Sequence, residues 1–189
     1  MATSGIVVRY ATAEVARRPD RPAVTFMDLL KSRVSWVHPS TVLVRRDWFL
    51  NEIGGINEEL PGGYGEDYEW LLRASQKAPI VAATQCLTRV NWHATSFFEA
   101  RWQTIIRALT WLLRKYPDFR SEPAGLARIE GQIAFAHAAA GERVAAVKWA
   151  LRAARHRPTE PRAALAMAVV CGVPAESVLA QLHMRGKGI

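Results

Sequence analysis

Pro39 to His93 reads PSTVLVRRDWFLNEIGGINEELPGGYGEDYEWLLRASQKAPIVAATQCLTRVNWH, and the fold turns on how its punctuation is read. Asp47 can cap a short helix through Ile53, which Gly54-Gly55 stops. Ile56 to Gly65 is one loop of glutamate, proline and glycine ending in Gly62-Gly63-Tyr64-Gly65. A helix then opens at Glu66 or Asp67, with Trp70, Leu71 and Ala74 as its apolar face, and Pro79 ends it. Thr41 to Val44, Ile80 to Ala83 and Cys86 to Trp92 predict strands.

Outward from this stretch, the two flanks differ. Gly5 to Tyr10 is a short β-branched run that predicts a strand. Residues 11 to 22, with two prolines and three arginines, predict an irregular connection, and Val24 to Lys31 one or two helical turns. From Thr95 the period changes. Phe98, Trp102, Ile105, Ile106, Leu109, Leu112, Leu113 and Tyr116 fall at helical spacing, so an amphipathic helix runs to Pro117. Gly141 and the prolines at 158 and 161 then delimit helices over 124–139, 142–157 and 160–171, and a last one runs from Pro174 to about His183. The expected fold is α/β over residues 1–99 followed by an all-α region over 100–189.

Charge divides at the same place. Residues 1–99 hold 11 basic and 11 acidic side chains, whereas 100–189 hold 14 and 6, so the second half carries the whole net charge of +8. The chain has 189 residues, is 50% apolar and only 22% charged, which excludes the disordered and fibrous classes. Its longest apolar stretch, Ala163 to Val173, is shorter than the roughly 20 residues that span a bilayer. The N-terminal segment lacks the apolar core of a signal peptide. Cys86 and Cys171 are too few for a disulfide framework, and their spacing suits no metal site. A cytoplasmic location is the resulting expectation. Lys148, Arg152 and Arg155 share one helical face opposite Ala146, Trp149, Ala150 and Ala153. That face is either solvated or a surface for peripheral membrane contact. No nucleic-acid motif accompanies the high pI, so no nucleic-acid partner is expected.

The candidate chemistry sits at Glu66-Asp67. Two carboxylates follow a glycine-rich loop and open a helix, whose N-terminus favours negative charge. A carboxylate at the lip of such a loop suits a general base that takes a proton from a hydroxyl. The plainer alternative is that both are ordinary first-turn residues. His93, at the end of a strand, is the second candidate, against the alternative of an ordinary surface or core histidine.

These elements, in this order, resemble the C-terminal half of the catalytic domain of family 2 glycosyltransferases, inverting enzymes of the GT-A fold. The resemblance rests on Val42-Leu43-Val44-Arg45-Arg46, Gly54-Gly55-Ile56-Asn57-Glu58, Glu66-Asp67-Tyr68 with Arg73, and Arg89 to His93 followed by Ser96. Ile56 and Asn57 depart from the family's aromatic and Asp. The resemblance implies a partial GT-A-type mixed sheet with helices. It implies Asp67 as catalytic base toward an acceptor hydroxyl, with Glu66 as its structural or acceptor-contacting neighbour. Tyr64, Tyr68 and Trp70 become the acceptor-side aromatics, and His93 a ligand of the divalent metal, magnesium or manganese, on the donor diphosphate. Arg73 is expected to anchor its helix through an ion pair. The implied partners are a nucleotide-sugar donor and a glycan or lipid-linked acceptor.

The family's donor half is not matched. It is built of several strand–helix units with an Asp-x-Asp motif, and no Asp-x-Asp occurs here. The chain is therefore expected to hold the acceptor half without the donor half, to leave a sheet edge and apolar surface uncovered, and to be inactive by itself. The rival expectation is a non-catalytic helical adaptor, or a basic surface-binding module, with a vestigial transferase half. Glu130 to Pro158 resembles a tetratricopeptide repeat, with Gly141 at the turn and Ala146 and Ala153 at small positions of its second helix.

Overall fold

The computed structural model describes residues 1–10, 13–92 and 101–184. It parts into two compact units, one of Met1–Glu59 with Gly65–Ala94 and one of Leu60–Tyr64 with Thr95–Ile189. The division falls close to the break in composition, but the short segment 60–64 joins the helical unit, which the sequence did not foreshadow.

The first unit is mixed α/β. Its sheet has the order β2-β1-β4-β3, built from β1 (Ala2–Tyr10), β2 (Ala13–Arg17), β3 (Ala23–Val24) and β4 (Ile80–Trp92). β1 runs parallel to β4, while β1–β2 and β3–β4 are antiparallel. Ile6, Val8, Val24 and Ile80 of the sheet are buried, as are Leu29 and Leu30 of α1 (Phe26–Lys31) and Leu72 of α3 (Glu66–Lys77), and α1 packs on α3. Helix α1 starts where it does because Thr25 and Asp28 cap it reciprocally: the Asp28 N–H donates to Thr25 Oγ1 at 3.2 Å, and the Thr25 N–H to Asp28 Oδ2 at 2.9 Å.

Three local expectations are corrected. Thr41 to Val44 is not a strand. Pro39–Thr41 forms a 3₁₀ turn, and Leu43 alone bridges Ala2 through N···O distances of 2.8 and 2.9 Å. The β-branched side chains are there, but the 3₁₀ turn takes up Thr41 and a helical turn opens at Arg46, so only Leu43 pairs with β1. Residues 11–22 are not wholly irregular, since they contain β2, an edge strand whose first four residues are all exposed and so show no alternation. Ile80 to Trp92 is one strand, not two. Its polar Thr84-Gln85 sits in an irregularity where β4 advances from Ala83 to Thr88 while β1 advances only from Ser4 to Ile6. Gly5 lies at this point, where a Cβ would stand 2.7 Å from the Arg17 carbonyl and 2.9 Å from Cys86 Sγ. Beyond Ala82, whose N–H still bonds the Pro22 carbonyl at 2.8 Å, β4 is paired with β1 alone among the described residues, and Leu87 is 69% exposed.

The second unit is helical. Among its described residues it comprises α4 (Trp102–Lys115), a 3₁₀ turn Pro117–Ser121, α5 (Pro123–Ala139), α6 (Arg143–His156), α7 (Pro161–Val170) and α8 (Ala175–Met184). These match the helices expected from periodicity, with ends shifted by a residue or two. The part of the first helix expected before Trp102 lies outside the described residues. The core is small-residue packing around α5: Ala127, Ala134, Ala146, Ala150, Ala153 and Ala166 with Phe135, and Trp102 set edge-on to Phe135 at 6.0 Å. Small side chains let helix axes approach closely, and at Gly131 a Cβ would come within 2.8 Å of Arg162 Cβ. Among the described residues no helix is long and apolar enough to cross a membrane.

Candidate functional site

Helix α3 starts without a side-chain cap. Gly65 precedes it at φ 80°, a left-handed conformation that glycine adopts without strain. The first-turn N–H groups therefore attract negative charge, and Glu66, Asp67 and Glu69 all fall there. The Tyr68 N–H donates to Asp67 Oδ1 at 2.8 Å. The far side of the same carboxylate receives Arg33, whose Nη2 stands 3.0 Å from Oδ1 and 3.2 Å from Oδ2.

Glu66 and Asp67 form one wall of a cavity of about 280 Å³. Trp70 and Leu71, one turn further along α3, continue that wall. Phe49 and Ile56 face in from the turn between α2 (Arg46–Trp48) and α3, and Pro39 and Val42 from the 3₁₀ segment. The arrangement places two carboxylates beside an aromatic and aliphatic surface. Sugars present that complement, hydroxyls on the rim and C–H groups on the ring face.

The loop bearing Ile56 is held by α3. After α2 the chain makes a π-type turn, Phe49–Ile53, ended by Gly54 at φ 80°, as Gly54-Gly55 predicts. Arg73 donates to the carbonyls of Ile53 at 2.6 Å and Gly55 at 2.9 Å, and Trp70 Nε1 donates to the intervening Gly54 carbonyl at 2.9 Å. Arg73 also pairs at 2.9 Å with Glu69, which is fully buried. The anchoring expected of Arg73 is thus met twice over, by the ion pair and by the loop carbonyls. Asp47 does not cap its helix. Arg45 is the N-cap, without a side-chain bond, and Asp47 pairs with Arg45 on the surface at 2.6 Å.

The remaining candidates are distributed unevenly. Trp70, only 7% exposed, lines the cavity and packs on Phe49 at 5.9 Å between ring centroids. Tyr68 is 4% exposed, and its hydroxyl donates to the Leu29 carbonyl at 2.5 Å, so it braces α3 against α1 and presents no ring face to the cavity. Tyr64 closes the 3₁₀ turn Pro61–Gly63 and belongs to the helical unit. His93 lies outside the described residues. Among the described residues no group of three metal-ligating side chains comes together.

Two residues near Asp67 carried no sequence signal. Arg33 is 34 positions upstream and joins Asp67 only through the fold. Val34, beside it, takes φ 42°, a strained value for a β-branched residue, and is buried. His38, the residue before Pro39, is half-buried. Burial pushes its imidazole down from the ordinary value, and the Asp67 carboxylate pulls part of the way back. Its Nδ1 accepts the Ser40 N–H at 3.2 Å, which fixes the proton of the neutral ring on Nε2.

No known protein family, curated protein or solved structure matches the chain.

Proposed function

We propose that the α/β unit is the acceptor side of an inverting, family 2-like glycosyltransferase. The single observation that carries this is the cavity in which the first-turn carboxylates of α3 meet the Trp70 indole and the Arg73-anchored loop. In this reading Asp67 takes the proton of an acceptor hydroxyl as its oxygen bonds to the anomeric carbon. The sugar's bond to the nucleotide diphosphate breaks on the opposite face. Arg33 orients the Asp67 carboxylate, and Glu66, exposed at the rim, hydrogen-bonds acceptor hydroxyls. Trp70, with Ile56 and Phe49, supplies the apolar face, since Tyr68 is committed to the core. The donor diphosphate and its metal need groups that the described residues do not bring together.

Binding tests this without requiring turnover. Methyl glycosides titrated into the isotope-labelled chain should shift the Trp70 indole N–H and the Asp67 and Leu71 amides, while a nucleotide diphosphate leaves them in place. Asp67→Asn should retain part of that binding, because Asn still accepts hydrogen bonds. Silence of these resonances toward every glycoside up to solubility would refute the acceptor assignment.

A further inference from the structure

The helical unit contains a cavity of about 610 Å³ between α4, the Pro117–Ser121 turn, α5 and α6. Its size falls within the range of small-molecule sites. Its floor is apolar, with Tyr116 and Phe119 buried to 3% and 1% exposure. Its polar groups are unusual. Glu130, in the middle of α5, is fully buried and lines the cavity. One of its oxygens, Oε1, accepts a hydrogen bond from Arg152 Nε at 3.0 Å, and Arg152 Nη2 stands in ion-pair contact with it, also at 3.0 Å. The other, Oε2, has no hydrogen-bond partner, and His156 Nε2 stands 3.7 Å away, beyond hydrogen-bond reach. A buried carboxylate oxygen left bare is costly, and native structures rarely keep one without a use for it. Burial pushes the Glu130 carboxyl up, with Arg152 and His156 pulling back.

Cations surround this acceptor. Arg152 stacks over Trp149 at 4.3 Å, so its guanidinium is fixed by both the ring and Glu130. Arg114 and Arg120 also line the cavity and make no hydrogen bond or ion pair among the described residues. Both are exposed, so their donors face solvent at the rim. The cavity thus pairs an anion-seeking rim with one deep acceptor over an apolar floor. Guanidinium forks match phosphate oxygens in geometry and charge. A bare Oε2 requires a ligand that also carries a donor some way from its phosphate, which a compact anion such as inorganic phosphate lacks.

We infer that this cavity binds a phosphomonoester carried on a hydroxyl- or amino-bearing body, with the phosphate on Arg114 and Arg120 and a donor of the body on Glu130. Mononucleotides and sugar phosphates share that chemistry. The site lies wholly within the helical unit and stands whether or not the α/β unit transfers sugar.

Full-length chain is titrated with AMP, glucose 1-phosphate and inorganic phosphate while the Trp149 indole N–H, assigned through Trp149→Phe, is followed by NMR. AMP or glucose 1-phosphate should saturate the shift and bind at least about tenfold tighter than inorganic phosphate, the better of the two identifying the body. Arg114→Ala and Arg120→Ala, both at exposed positions, should each weaken binding about tenfold, the scale of one charge-assisted bond. Glu130→Gln should weaken the organic phosphates and leave inorganic phosphate unchanged or tighter, since a like charge has gone. No saturable shift with either organic phosphate overturns the inference. So does binding that inorganic phosphate equals, or that both arginine variants retain in full. Equal tightening of all three ligands in Glu130→Gln would show that Glu130 only repels anions, and would likewise overturn it.

Discussion

Replacing Arg73 with methionine keeps the length of the side chain and removes its fork. Four hydrogen bonds go with it: those to the Ile53 and Gly55 carbonyls and the two to buried Glu69. Hydrogen bonds to a charged group contribute about 1.5–3 kcal/mol each. Removing one member of a buried ion pair costs up to about 3–5 kcal/mol. The Arg73 side chain is 23% exposed, so water recovers part of this, and the contributions overlap. A loss of about 3 kcal/mol is the net expectation, which lowers the melting midpoint of a unit this size by about 12 °C or more. Arg73→Lys keeps the charge but cannot reach both carbonyls and Glu69 at once, and should lose about half as much. The assay is denaturation of the full chain, reading the α/β unit by assigned amide resonances of α3 and the helical unit by those of α5. The expected result is an early transition confined to the α/β unit. A loss below about 1 kcal/mol would show that the Gly54-Gly55 loop does not depend on Arg73, and that the cavity wall bearing Ile56 holds its shape by other means.

Four further outcomes are expected. Asp67→Asn should change stability by less than about 1 kcal/mol, because its pair with Arg33 is exposed; with a donor half supplied it should cut transfer by at least about 10²-fold, measured as turnover beside melting temperature. Gly131→Ala should destabilise the helical unit by about 1 kcal/mol despite alanine's better helix propensity, because the new methyl meets Arg162 Cβ at 2.8 Å; denaturant midpoints decide the sign. Glu130, raised above its ordinary 4.5 by burial, binds its proton more tightly folded than unfolded, so its stabilisation is present at low pH and lost as pH rises through the raised value; the helical unit should weaken as pH rises above the ordinary carboxyl range, and Glu130→Gln should flatten that slope in chemical denaturation. Asp20 is held down to about 2, chiefly by the Arg21 hydrogen bond with the Trp36 indole adding to it, so its contribution is present above the unfolded value and lost only as pH falls toward about 2; the Trp36 indole resonance should keep its position at pH 4 in the native chain and shift in Asp20→Asn.

The helices were legible because their cues are local. Apolar spacing over Trp102 to Tyr116, Gly141 at φ 80° and the proline opening α7 each act within a turn or two. Helix α3 was legible for the same reason, with its acidic first turn and its stop before Pro79. The sheet was less so, since a strand is defined by its partner. Thr41 to Val44 has strand composition but lies between two helical turns and meets β1 only at Ala2, while Ala13–Arg17 has none of the pattern and pairs with β1 along its length. Of the candidate site, Glu66, Asp67 and Trp70 were readable as one face of one helix. Arg33 and His38 were not, because they reach Asp67 across the fold and no spacing encodes that. The mismatch at Tyr68 has the same origin: sequence put an aromatic beside the acidic pair, but its angle on the helix turns it to Leu29.

The irregularity in β4 has a consequence for how the chain tolerates changes in length. Five residue steps on β4, Ala83 to Thr88, are matched by two on β1, Ser4 to Ile6, so β4 carries three residues more than its neighbour across this point. Three is odd, and strand side chains alternate, so the surplus decides which way every later residue of β4 points. Thr88 and Val90 sit opposite Ile6 and Val8 only because of it. Adding or deleting one residue here would turn Arg89 and Asn91 toward Ile6 and Val8 and expose Val90. Surface positions usually accept such edits. This one, with Leu87 standing in solvent, should reject single-residue insertions and deletions as firmly as a buried helix does.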